Sequence, residues 1–159
     1  MPAPIVANVV SVLFSLALKH MGAQDVSHAA HWVAPDIFRI SHEQTEIMAC
    51  RKSCRVRAFY LPGIGIFIDN DLEVETDEFA RSVLLHELVH HVQALLGTYD
   101  HYPPCPAQQR SELEAYAVQN NYLLSVGSAT HIVPIVTHAL TCPPPSPNVI
   151  RTTSNQPGD

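Results

Sequence analysis

The sequence is poor in charge, and poorest in cations. Asp, Glu, Lys and Arg make up 15% of its 159 residues, with Lys plus Arg numbering nine against fifteen acids, for a net charge of −6. A chain so short of cations has no basic face for phosphates, which argues against a nucleic-acid partner. Its four cysteines form no C-x-x-C pair, so a cysteine-rich structural zinc site is not indicated. It also lacks an apolar run of the roughly 20 residues that a membrane span needs. The apolar stretch Ile5 to Leu18 has no basic segment before it and no clear small-residue cleavage site. Asn8, Ser11, Ser15 and Lys19 recur along it as one polar stripe, with Val9, Val12, Leu13 and Leu16 on the other side. Residues 3–21 therefore read as an amphipathic helix packed on a domain. No internal repeat is present.

What the chain does have is apolar mass and histidine. Apolar residues are 47% of the total, a globular composition with enough length for one core. Ten histidines are many for this length and direct attention to metal or proton chemistry. Cys50, Cys54, Cys105 and Cys142 are an even set in a small chain, which fits two disulfides and an exported or periplasmic protein. Four buried thiols in a cytoplasmic protein are the alternative. Cys105 and Cys142 are each followed by proline at element boundaries, which suits a staple between them; Cys50 and Cys54 then form a local bridge.

The pattern predicts an α+β domain over residues 1–142, mainly helical with a short β-hairpin or small sheet. Residues 22–54 read as loop with one short element. Residues 56–61 and 64–69 read as two strands joined at Pro62-Gly63. Asp77 is a good N-cap, and Phe79, Val83, Leu84, Leu88, Val92 and Leu95 follow with helical periodicity until Gly97. Residues 98–108 read as loop, and a second long helix as running from about Ser111 to Ser125. Residues 129–140 are apolar and of unassigned type. The run Pro143-Pro144-Pro145-Ser146-Pro147 opens a tail, 143–159, expected to be disordered.

Within the first long helix lies His86-Glu87-Leu88-Val89-His90. Histidines at i and i+4 share a helix face, so both imidazoles can reach one ion. Glu87 is one step round, placed to take a proton without being a ligand. This is the H-E-x-x-H arrangement, and the metal it suits is zinc. His91 points about 100° away from His90 and reads as structural or solvent-exposed. A catalytic zinc usually has three protein ligands. The second helix offers Glu112 and Glu114, each opening an E-x-x-A string with Ala115 or Ala117. Glu112 shares a face with Ala115, Tyr116, Gln119 and Leu123, so the apolar face favours it; Glu114 is the alternative third ligand.

H-E-x-x-H followed by a helix bearing E-x-x-A resembles the gluzincin group of zinc metallopeptidases. His-Glu-Leu-Val-His-His-Val-Gln with the later Cys-Pro and Glu-Ala-Tyr-Ala-Val-Gln is similar to small, largely uncharacterised bacterial members, over residues of about 56–125. The resemblance implies a zincin-like fold, a Zn2+ cofactor, a peptide or protein substrate and an edge strand beside the cleft. It implies Glu87 as general base, with His86, His90 and Glu112 as ligands. Many gluzincins carry an acid four residues after the third ligand, holding a ligand histidine; here that position is Tyr116. The oxyanion-stabilising group is open among Tyr99, His101, Tyr102, His131 and His138. Two other functions stay open: a catalytically weak or inactive zincin-fold binding module, and an amide hydrolase acting on a non-protein substrate. The sequence leaves the oligomeric state open.

Overall fold

The computed structural model describes residues 7–23, 32–134 and 142. The order of elements is α1 (Ala7–His20), β1 (Ile37–Ile40), α2 (His42–Cys50), β2 (Ala58–Leu61), β3 (Gly65–Asp69), α3 (Glu78–Leu96) and α4 (Pro104–Ser125). This is a small α+β domain. The strands form one mixed sheet in the order β1-β3-β2, with β1 parallel and β2 antiparallel to β3. The expected hairpin is therefore β2 and β3, with Ala58 opposite Ile68 and Leu61 opposite Gly65.

Alternation along β3 decides which face the core takes. Ile66 and Ile68 are fully buried beneath α1 and α3, joined by Leu13, Phe14, Leu84, Leu88 and Val92. Phe67 points the other way and stacks between Phe38 and Phe59, at ring-centroid distances of 5.0 and 5.1 Å. An aromatic ladder thus crosses all three strands on the outer face. Gly65 serves the sheet more than the turn before it. Its φ is +148°, and a Cβ there would sit 2.4 Å from the Asp36 carbonyl oxygen, which accepts from the Ile66 N–H. On α1, Leu13, Phe14 and Ala17 are buried, while Val12 turns out to solvent, unlike its place in the expected apolar face.

Residues 22–54 hold more regular structure than expected. β1 lies there, and so does α2, which opens on a capping box: Ser41 Oγ accepts from the Gln44 N–H, and the Gln44 side chain accepts from the Ser41 N–H. The second long helix begins at Pro104 and not near Ser111. Proline fits the first turn, where an N–H would have no intrahelical partner, so Pro104 and Pro106 begin the helix rather than exclude it. Residues 128–134 are irregular, and Asn120 clamps Ile132 through two hydrogen bonds of 2.8 Å. Residues 135–140 and the tail 143–159 lie outside the described residues. Cys50 is bonded to Cys54 and Cys105 to Cys142. Among the described residues no helix is long and apolar enough to cross a membrane.

Candidate functional site

The helix that carries the motif is fixed at its start. The Asp77 carboxylate accepts from the N–H groups of Phe79 and Ala80 at 3.0 and 3.3 Å. Two arginines lock the preceding loop: Arg39 binds the Asn70 and Leu72 carbonyls and the Glu75 carboxylate, and Arg81 binds the Val74 and Glu75 carbonyls. From this start Phe79, Val83, His86, Glu87 and His90 form one stripe along α3 facing a cleft of about 1120 Å³. Ser111, Glu112, Tyr116 and Gln119 of α4 form the opposite wall. β2, an edge strand, forms the third.

In this cleft His86, His90 and Glu112 come together. Their ligand atoms lie within 4.8 Å of one another. The two Nε2 atoms are 3.1 Å apart, and the Glu112 oxygens lie 3.4 Å from His86 Nε2 and 3.5 Å from His90 Nε2. A tetrahedral ion with ligand bonds of about 2.05 Å sets its ligands about 3.3 Å apart, so these three residues fit a metal ion. Burial pushes the Glu112 carboxyl up, but hydrogen bonds with His86 and His90 overcome it and hold the group well below the usual carboxylate range. Burial also opposes a charged His90, and Glu112 and Glu87 outweigh it, raising that pKa. The site is thus arranged around positive charge.

Each histidine is oriented from behind by an amide. His86 Nδ1 donates to Gln119 Oε1 at 3.1 Å, and Gln119 Nε2 donates to Ser82 Oγ at 3.1 Å. His90 Nδ1 donates to Gln93 Oε1 at 2.9 Å, with Ser111 Oγ also 3.0 Å away. Both rings therefore carry a proton on Nδ1 and turn Nε2 toward the same point. At 3.1 Å the two Nε2 atoms leave room between them for a shared proton, or with Glu112 for a metal ion. Sequence reasoning missed Gln93 and Gln119. The position four residues after Glu112, where many gluzincins carry an acid, is Tyr116; the partner of His86 is Gln119, seven after, on the same helix face two turns on. Tyr116 instead packs its ring edge-on against His86, with centroids 4.5 Å apart.

Glu87 is buried between α3 and β2, where the nearby Tyr60 backbone N–H favours its charged form. Burial raises its pKa against the downward pull of His86 and His90, and Glu112 adds to the rise. Glu114 is not with the triad. Its Oε2 accepts from Gln93 Nε2 at 2.9 Å and from the Tyr99 hydroxyl at 2.7 Å. His91 is half-buried: its Nε2 donates to the Val33 carbonyl at 3.1 Å, and its Nδ1 meets the Tyr60 hydroxyl at 3.2 Å. Of the oxyanion candidates, Tyr99 lines the cleft but is committed to Glu114. His101 and His131 are exposed, and Tyr102 packs between His101 and Arg110. His138 lies outside the described residues. The hydroxyl of Tyr116, not among those candidates, makes no hydrogen bond among the described residues and belongs to the cleft. Burial, Glu112 and Glu87 raise its pKa and keep it protonated.

Fold and site together define a small α+β domain with a His-His-Glu group suited to a metal. The chain matches the family described as Domain of unknown function (DUF6647) over residues 11–144 and belongs to that family. No curated protein and no solved structure matches it.

Proposed function

We propose that this chain is a zinc-dependent hydrolase of the gluzincin type that cleaves peptide bonds. The observation that carries the reading is the His86, His90 and Glu112 triangle, of tetrahedral dimensions, with buried Glu87 beside it in an open cleft. When bound, zinc polarises a carbonyl and lowers the pKa of water to roughly 7. Glu87 takes a proton from the attacking water and returns it to the leaving nitrogen; its raised pKa suits a group that must both accept and give. The Tyr116 hydroxyl donates to the carbonyl oxygen as negative charge develops there. β2 uses one edge to pair with β3, and the other faces the cleft, so an extended peptide can bind along it by strand addition. Two disulfides favour an oxidising compartment, hence an exported or periplasmic protein.

Glu87→Gln tests the reading on an unfolded protein substrate, with zinc content measured alongside. The variant keeps one zinc per chain and loses nearly all cleavage. An unchanged rate removes Glu87 from the mechanism. Wild-type protein that holds zinc and cleaves no unfolded protein supports the binding module or the non-protein amide hydrolase instead.

A further inference from the structure

The geometry points to Glu114 as a positioning residue that sets the tautomer of His90 through the Gln93 amide, a role that rests on the metal-site reading above. Glu114 lies about 200° round α4 from Glu112, so one regular helix cannot turn both carboxylates to the same ion. Its carboxylate is instead the far end of a relay. The Tyr99 hydroxyl and Gln93 Nε2 both donate to Glu114 Oε2, at 2.7 and 2.9 Å. The other acceptor for Gln93 Nε2 is the Ser111 carbonyl at 3.1 Å. With two acceptors on its nitrogen side, the amide cannot flip without bringing its oxygen against a carboxylate and a carbonyl. Gln93 Oε1 is thereby held toward two donors, Ser111 Oγ at 2.6 Å and His90 Nδ1 at 2.9 Å.

The consequence falls on His90. When neutral, a ring that must donate from Nδ1 presents its Nε2 lone pair to the ligand triangle. Gln93 alone is a weaker device than the carboxylate often found behind a ligand histidine, because a neutral amide can present either end. Glu114 removes that ambiguity. Its negative charge also polarises the amide, strengthening Oε1 as an acceptor along the chain of hydrogen bonds. Gln93 is 5% exposed, so water competes little for these bonds. The His86 side differs: Gln119 hands on to the neutral Ser82 hydroxyl, with no carboxylate behind it. The charged relay therefore serves one ligand of the three.

The experiment compares wild type with Glu114→Leu, Glu114→Gln and Tyr99→Phe. Two quantities are read: the His90 tautomer in metal-free protein, from imidazole nitrogen shifts, and the affinity for zinc alone, by competition with a chelator. Metal-free wild type, at a pH where His90 is neutral, should show its proton on Nδ1. Glu114→Leu should mix the tautomers and weaken zinc binding by roughly 10- to 100-fold, the usual cost of losing an outer partner. Glu114→Gln keeps an acceptor oxygen and should restore most of both. Tyr99→Phe should fall between. A Glu114→Leu protein with the wild-type tautomer and affinity overturns the relay. If that variant does not fold, Glu114→Ala decides by the same two readings, and an unchanged tautomer and affinity overturn the relay equally. Wild-type protein that binds no zinc sinks the metal reading, while the tautomer measurement still decides for or against the relay.

Discussion

If Glu112 is the third ligand, removing its charge should change how the protein responds to zinc on heating. The substitution is Glu112→Gln, which keeps the shape and removes the anion balancing His86 and His90 at 3.4 and 3.5 Å. A ligand that binds only the folded state stabilises it by about 4.1 kcal/mol at a thousand times its Kd. A domain of roughly 120 residues unfolds with an entropy of about 0.25 kcal/mol/K. Zinc at that excess should therefore raise the wild-type Tm by about 16 °C. A variant binding 100-fold more weakly gains only about 1.4 kcal/mol at the same free zinc, or about 6 °C. Calorimetry with and without zinc at fixed free metal measures both. The outcome that refutes the reasoning is an equal shift in wild type and Glu112→Gln, with the shift abolished in His86→Ala. The third ligand would then come from elsewhere, and the gluzincin reading would fall with it.

Replacing Cys105 and Cys142 by Ser should cost more stability than replacing Cys50 and Cys54, about 4 against about 2 kcal/mol by loop entropy, read from urea unfolding. Asp69 should make stability acid-sensitive: burial pushes its pKa up, but the Asp71 N–H, His42 and Arg57 outweigh this and lower it. Its contribution is therefore present above the unfolded value and lost as pH falls through the lower folded one, so the Tm penalty of Asp69→Asn should be full at neutral pH and fade below about pH 4; a gap that stays constant down to about pH 2.5 refutes this. Leu88→Ala, at a fully buried position of α3, should cost about 2–5 kcal/mol in the same unfolding assay, and less than 1 would mean that the core closes over the gap.

The elements legible in the sequence were those specified locally. α3 announces its start at Asp77, its length by periodicity and its end at Gly97, and the structure has all three. The β2–β3 hairpin was legible because Pro62-Gly63 separates two apolar runs. β1 was not, since four residues with Arg39 among them show no reliable alternation. Its strand character comes from a parallel partner, Gly65–Asp69, more than twenty positions on. α2 had a readable signal, Ser41-x-x-Gln44, but its residues lack an apolar face to follow the cap. The start of α4 was misread because proline breaks helices in general and opens them in the first turn.

The candidate site divides along the same line. His86, Glu87 and His90 are one helix turn, so spacing alone brings them together. Glu112 needed a choice between two carboxylates, and the apolar face of α4 supplied it, because a ligand must face the helix it serves. Gln93 and Gln119 carry no such mark: a glutamine on a helix is ordinarily solvated, and only packing buries these two at 5% and 3% exposure. Yet they fix which nitrogen of each histidine faces the cleft. The sequence thus specifies which candidate ligand atoms come together, and the α3–α4 interface specifies how they are oriented. If the site takes a metal, a substitution that spares His86, His90 and Glu112 should still weaken its binding by releasing an amide behind a histidine.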